Sequence, residues 1–102
     1  MRNNNPGAEG GIMVSGKAVI RNREGLHLKP AARFAREAMK FSSTVTFTVR
    51  DVTANAKSIL SVLSACVRNG EEIEIVCSGE DEEEALKQLR LAVYEGLGDE
   101  KE

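Results

Sequence analysis

The sequence predicts an α+β open-faced β-sandwich: a four-stranded antiparallel sheet covered on one face by three helices, in the order βαββαβα. Three observations predict it. Short runs with apolar residues on alternate positions are interspersed with runs whose apolar residues recur at helical spacing. The two middle strand-like runs are joined by a turn so short that they must pair antiparallel. The helical runs carry apolar stripes that need one shared surface to cover. A chain of 102 residues holds one small domain with a single core, and no internal repeat is visible.

The elements follow in order. Residues 13–22 mix Val14, Ala18, Val19 and Ile20 with polar residues and read as a first strand, though the alternation is imperfect. Arg23-Glu24-Gly25 is a loop. From Leu28 to about Phe41, the spacing of Ala31, Phe34, Ala35, Ala38 and Phe41 predicts a helix with one apolar face, closed by Ser42-Ser43. Residues 44–49 alternate cleanly and point Val45, Phe47 and Val49 at the core. Arg50-Asp51 then turns the chain into a brief strand from Val52 to Ala56. Ser58 opens a second helix as its cap, expected to run from Ile59 to about Val67. Ile59, Leu60, Val62, Leu63, Ala65 and Cys66 make that helix apolar on more than one side. For so short a helix the second stripe reads as a partner-binding patch. Asn69-Gly70 is a turn, and residues 72–77 form the last strand with Ile73, Ile75 and Cys77 on one face. The acid run Glu80-Asp81-Glu82-Glu83-Glu84 reads as the solvated start of a third helix, where carboxylates complement the dipole. Ala85, Leu86, Leu89, Val93 and Leu97 give that helix its apolar face. The expected domain is 13–97, with a disordered tail at 1–12, rich in Asn and Gly, and a frayed tail at 98–102.

Composition narrows the function classes. No apolar run is long enough to span a bilayer, and residues 1–11 lack the apolar stretch of a secretory signal, so a cytoplasmic chain with no membrane insertion is expected. Cys66 and Cys77 form no C-x-x-C pair and read as small buried hydrophobes in a reducing compartment. A single His with two scattered Cys is poor zinc material, so neither metal nor cofactor is expected. The net charge of −2 hides an asymmetry: residues 1–50 hold nine Lys and Arg against three Asp and Glu, and residues 51–102 hold five against thirteen. Arg21, Arg23, Lys29, Arg33, Arg36 and Lys40 surround His27 in sequence and suit an acidic partner or a phosphate. Nucleic acid is excluded as a partner because Phe47 is the one Phe, Tyr or Trp on the main strands and the second half is acidic.

His27 is the only histidine, and it stands in Gly25-Leu26-His27-Leu28-Lys29-Pro30-Ala31-Ala32 at the start of the first helix. Unpaired amides and the helix dipole favour an anion there. Lys29 adds a cation, and Pro30 fits the first turn because its missing N–H costs no intrahelical bond. A neutral imidazole is a nucleophile, so this position suits a phosphoryl acceptor.

The same segment resembles the histidine-containing phosphocarrier (HPr) family of the bacterial phosphoenolpyruvate-dependent sugar phosphotransferase system, which usually shows Gly-Leu/Ile-His-x-Arg-Pro-Ala. A second segment, Ala56-Lys57-Ser58-Ile59-Leu60, followed by Asn69-Gly70 and a strand entering Gly79-Glu80-Asp81-Glu82, resembles it in register, and the similarity runs from about Met13 to Leu97. The resemblance implies that His27 accepts phosphate through Nδ1 from phosphorylated enzyme I and passes it to enzyme IIA domains. Leu28 and Lys29 would then stabilise the phosphate with their amides, and Leu28, Lys29, Arg36, Ile59, Leu60 and Leu63 would dock partners. It also implies that Ser58 is a regulatory phosphorylation site for a serine kinase/phosphorylase, with a transcriptional regulator as a further partner. The chain is then a monomeric carrier and not itself an enzyme. Three positions depart from the family pattern: Lys29 stands for the usual Arg, Leu28 for a small residue, and Ser61 for a glycine common in kinase-regulated members. Lys is a point charge where Arg offers a bidentate fork. The alternative is a purely regulatory module acting through Ser58 and the Ile59/Leu60/Leu63 patch; relatives of that kind tend to lose the histidine that this chain retains.

Overall fold

The structure is a computed structural model that describes residues 13–98. The expected tail at 1–12, and 99–102 of the C-terminal one, lie outside the described residues. The elements are β1 (Met13–Val19), α1 (Leu28–Ala38), β2 (Thr44–Val49), β3 (Val52–Asn55), α2 (Ile59–Ser64), β4 (Glu72–Ser78) and α3 (Glu82–Tyr94). The four strands form one sheet in the order β1-β4-β2-β3 with every pairing antiparallel. This is the expected open-faced α+β sandwich.

Register explains the layering. Val45 pairs with Cys77 and Phe47 with Ile75, so the alternate positions of β2 and β4 land on one face. On that face Val45, Phe47, Val49, Ile73, Ile75 and Cys77 are buried. Helix α1 seals the layer with Ala31, Phe34, Ala35 and Ala38, and α3 with Ala85, Leu89 and Val93. Phe34 meets Phe47 edge to face, with ring centres 5.6 Å apart at 82°, a contact worth about 0.5–1.5 kcal/mol beyond its buried area. Val14, Gly16 and Ala18 of β1 also face inward, and packing against α3 leaves them half-buried. Burial, then the Glu82 and Asp81 carboxylates, push the Cys77 thiol up to about 11. That thiol is an inert core group, as the sequence implied.

Several element ends differ from expectation. Helix α1 stops at Ala38, short of Phe41, because Lys40 and Phe41 N–H turn back to Glu37 and Ala38 in tight three-residue steps of 3.2 and 3.3 Å. Helix α2 stops at Ser64, short of Val67: Cys66 takes a left-handed backbone with φ of 52°. Cys66 is therefore exposed, not buried as expected. Helix α3 ends at Tyr94, because Gly96 and Leu97 turn left-handed at φ of 92° and 52°, yet Leu97 still tucks into the core. Strand β1 ends at Val19, and Ile20 continues into the core while bonding to Glu71 and Gly70.

Among the described residues no helix is long and apolar enough to cross a membrane, and no group of three His, Cys, Asp or Glu is placed to hold a metal ion.

Candidate phosphoryl-acceptor site

The loop before α1 is held by a backbone contact invisible in the local sequence. Leu26 N–H bonds the Val67 carbonyl at 2.9 Å, and Leu26 itself is buried. Gly25 has φ of 70°, and a Cβ there would collide with the backbone of Val67 and Arg68. Only glycine lets the loop lie this close to the segment after α2. The turn is tied further by Gly25 N–H to the Asn22 carbonyl at 2.9 Å, and by the Asn22 amide to the Gly96 carbonyl at 3.0 Å.

This anchoring delivers His27 to the surface as the N-cap of α1, with an extended backbone (φ −80°, ψ −167°) and no capping bond from its side chain. Leu28 and Lys29 are the first two helical residues. Their N–H groups precede the first intrahelical bond, from Ala31 N–H to the His27 carbonyl at 2.9 Å. No acidic residue lies in the first turn. Lys29 is exposed, Leu28 is 65% exposed, and Pro30 is buried beneath them. The arrangement joins an imidazole, two outward amides, the positive end of a helix dipole and an ammonium group. Chemically it can hold a dianion beside a nucleophile.

The six cations near His27 in sequence divide in space. Arg33 and Lys40 both pair with Glu37, at 2.9 and 3.1 Å. Burial pushes the Glu37 carboxyl up, but the hydrogen bonds from Arg33 and Lys40 outweigh it and hold the group below the usual carboxylate value. Those two cations are partly neutralised. Arg36 is exposed in the last turn of α1, at the opposite end of the helix from His27. Arg21 lies in a groove between β1 and α3.

The two sequence-predicted phosphorylation positions sit at opposite ends of a helix pair. The His27 loop touches Val67 beyond the C-terminal end of α2, while Lys57, just before α2, donates through Nζ to the Phe41 carbonyl beyond α1 at 2.7 Å. So α1 and α2 run antiparallel, and Ser58 caps the far end of α2, its Oγ accepting from Ser61 N–H at 3.1 Å. Between the two ends lies the α2 surface: Leu60 is 76% exposed and Ile59 39%, Leu63 is half-buried, and Val62 alone is buried.

Sequence reasoning missed the anchors behind this face. Arg50 donates to the Ala65 carbonyl at 2.5 Å and to Glu71 at 2.6 Å, closing the C-terminal end of α2. Asp81 is not a solvated start to α3. It accepts from Ser42 N–H and Ser43 N–H at 2.9 Å each and from the Ser43 hydroxyl. The Ser43 hydroxyl, then the Ser42 amide, outweigh partial burial and hold its carboxyl down at about 2. Glu82 is buried and accepts Gly79 N–H at 3.0 Å. Glu82 three residues after Gly79 and before an apolar run, the acidic half of a capping box, was the available signal.

Residues 14–94 match the family model for the PTS HPr component phosphorylation site. The chain is 41% identical over 83 residues to the HPr-like protein Crh of Bacillus subtilis, covering 81% of this chain and 98% of Crh. It is 36% identical over 83 residues to the phosphocarrier protein HPr of Mycoplasma capricolum, covering 81% of this chain and 93% of that protein. Its fold matches the crystal structure of HPr from Thermoanaerobacter tengcongensis with a TM-score of 0.81 at 36% identity, covering 86% of this chain and 99% of that one. With a helix N-terminus built for an anion, a histidine at its cap and these matches along most of its length, the chain belongs to the HPr family of phosphotransferase-system phosphocarriers.

Proposed function

We propose that this chain accepts a phosphoryl group on His27 from phosphorylated enzyme I and hands it to enzyme IIA domains in sugar uptake. The observation that carries the reading is the first turn of α1, where exposed His27 stands beside the amides of Leu28 and Lys29 and none of the first-turn residues is acidic. Nδ1 of neutral His27 attacks phosphorus, a P–N bond forms, and the bond from phosphorus to the donor breaks. In the return step a nucleophile on the recipient takes the same group and His27 is regenerated. The amides and Lys29 offset charge on the phosphoryl oxygens, so catalysis is mostly positioning and electrostatics. Leu28, Ile59 and Leu60 offer exposed apolar surface for the partner, and Arg36 and Lys29 supply cations for an acidic one.

The test is incubation with phosphoenolpyruvate and enzyme I, followed by intact mass and an acid-lability assay. One acid-labile phosphate is expected, absent from a folded His27→Ala variant, since an exposed side chain contributes little packing. A label retained by His27→Ala rejects the assignment.

A second reading is favoured by Ser58 at the cap of α2: phosphorylation at Ser58 regulates docking. A phosphate at this cap would lie at the start of α2, next to exposed Ile59 and Leu60, where it would repel an acidic partner. Ser58 is at the far end of α2 from the His27 loop, so the effect falls on docking and not on the imidazole. Ser58→Asp is expected to raise the KM for this chain in transfer from enzyme I while leaving the maximal rate nearly unchanged. Unaltered kinetics would leave Ser58 as a cap alone.

A further inference from the structure

Six of the exposed large apolar side chains among the described residues fall into two sets. Leu28, Ile59 and Leu60 belong to the His27 side already described, whereas Val19, Leu91 and Tyr94 rim a groove of about 740 Å³ between the outer edge of β1 and α3. Val14, Ala18 and Leu86 floor it. Neither His27, Leu28 and Lys29 nor any residue of α2 lines it. Its cations are Lys17, Arg21, Lys87 and Arg90, against the two carboxylates of Glu72 and Glu83. Apolar surface ringed by positive charge is the same composition as the His27 side. The groove has no histidine, cysteine or serine among its lining residues, so it can hold a partner but offers no comparable phosphoryl acceptor.

The edge of β1 decides what shape of partner fits. β1 is the outermost strand on its side, and an uncovered edge would be a template for an added strand. Here Arg90 crosses over Gly16, where a Cβ would meet its side chain at 3.0 Å, and donates through Nε to the Lys17 carbonyl at 3.0 Å. That carbonyl belongs to the outward row of β1, so the edge is closed at its middle to strand addition. What remains is side-chain surface, which suits an amphipathic helix. Charge opposes a second copy docked groove to groove, because two such grooves face to face would bring their cations together.

We propose that the β1–α3 groove is a second docking surface, separate from the His27 side, for an acidic amphipathic helix of a partner protein. The partner places aliphatic residues against Leu86, Leu91 and Tyr94 and carboxylates against Lys17, Arg21 and Lys87. Because the two surfaces share none of these residues, the chain can hold such a partner while His27 is engaged elsewhere.

The probe is a synthetic amphipathic helix of about 16 residues with a leucine face flanked by glutamates, and the control carries lysines in their place. The full-length chain, isotopically labelled, is titrated with each and followed by amide chemical shifts. Saturable shifts are expected at Ala18, Leu86, Leu91 and Tyr94 with the acidic peptide and not with the basic one. The double variant Lys87→Glu/Tyr94→Ala alters exposed residues and should weaken those shifts by about tenfold in affinity, while phosphate acceptance at His27 is unchanged. The inference is overturned if the groove residues do not shift saturably, if the basic peptide shifts them equally, or if the double variant binds as wild type. It is also overturned if these residues shift with chain concentration alone, since the groove would then hold a second copy.

Discussion

The first turn of α1 carries no acidic residue, whereas that of α3 carries Glu82, Glu83 and Glu84. Both turns present backbone amides and the positive end of a dipole, so physics favours an anion at each. At α3 the chain supplies its own negative charge in Glu82, Glu83 and Glu84, although no carboxylate caps an α3 amide: Glu82 accepts Gly79 N–H, and Asp81 at the cap position accepts from Ser42 and Ser43. At α1 the cap is His27, the second residue is Lys29 and the third is Pro30. The difference teaches how an anion site is made in a small domain. The chain places carboxylates in the first turn of one helix and none in the first turn of the other, where the proposed function puts an anion from outside.

Making α1 resemble α3 is the sharpest way to break this contrast. Lys29→Glu puts a carboxylate where we place the phosphoryl oxygens, and phosphate acceptance is expected to fall by at least about 100-fold, an electrostatic effect near the size of losing one oxyanion donor. The measurement is single-turnover transfer from phosphorylated enzyme I; a loss of only a few-fold would mean that the α1 amides and Lys29 contribute little.

The reverse test empties α3. The Asp81 carboxyl is held down at about 2, below its ordinary 3.8, so its contribution to stability is present above 3.8 and is lost as pH falls through about 2. Asp81→Asn removes that contribution at neutral pH, lowering the thermal midpoint there. The gap between wild type and variant should then close between pH 4 and pH 2. A gap constant across that range would show that the charge on Asp81 does not matter to the fold. Phosphate acceptance at His27 should be unaffected in the variant.

The smallest expected effect concerns the end of α2. Cys66 occupies a left-handed conformation that a glycine would take without strain, and it is exposed, so little packing is lost on substitution. Cys66→Gly should stabilise the domain by about 0.5–1 kcal/mol, the relief of strain being partly offset by the freer unfolded chain. Urea unfolding measures it, and a destabilised variant would mean that the Cys66 side chain makes contacts worth more than the strain.

Element order was legible in the sequence because it rests on periodicity. The alternation of Val45, Phe47 and Val49 and the helical spacing of Ala31, Phe34, Ala35 and Ala38 are local signals that the sheet and helices then obey. The location of His27 was legible for the same reason: a lone histidine, a lysine and a proline at a helix start are adjacent in the chain. What escaped was everything decided between distant segments or by an atypical residue. Nothing in Cys66 or Leu97 advertises a left-handed backbone, so α2 and α3 were read too long. Asp81 binds Ser43 across 38 residues, which no local window sees, and the acid run passed for solvated charge. Gly25 looked like a loop residue, though its lack of a side chain is what lets the loop reach Val67. The division of the basic residues between Glu37, the far end of α1 and the β1–α3 groove was equally hidden, because sequence proximity does not say which side of the domain a side chain occupies.

In the proposed function, phosphate sits on His27 and is gripped by the start of α1. Phosphorus and nitrogen NMR of the phosphorylated, isotopically labelled full-length chain tests it most directly. Phosphorus is expected to couple to Nδ1 of His27, with the largest amide shifts at Leu28 and Lys29 and little change at Glu82 and Glu83. Phosphorus on any other residue, or unmoved Leu28 and Lys29 amides beside a phosphorylated His27, would contradict it.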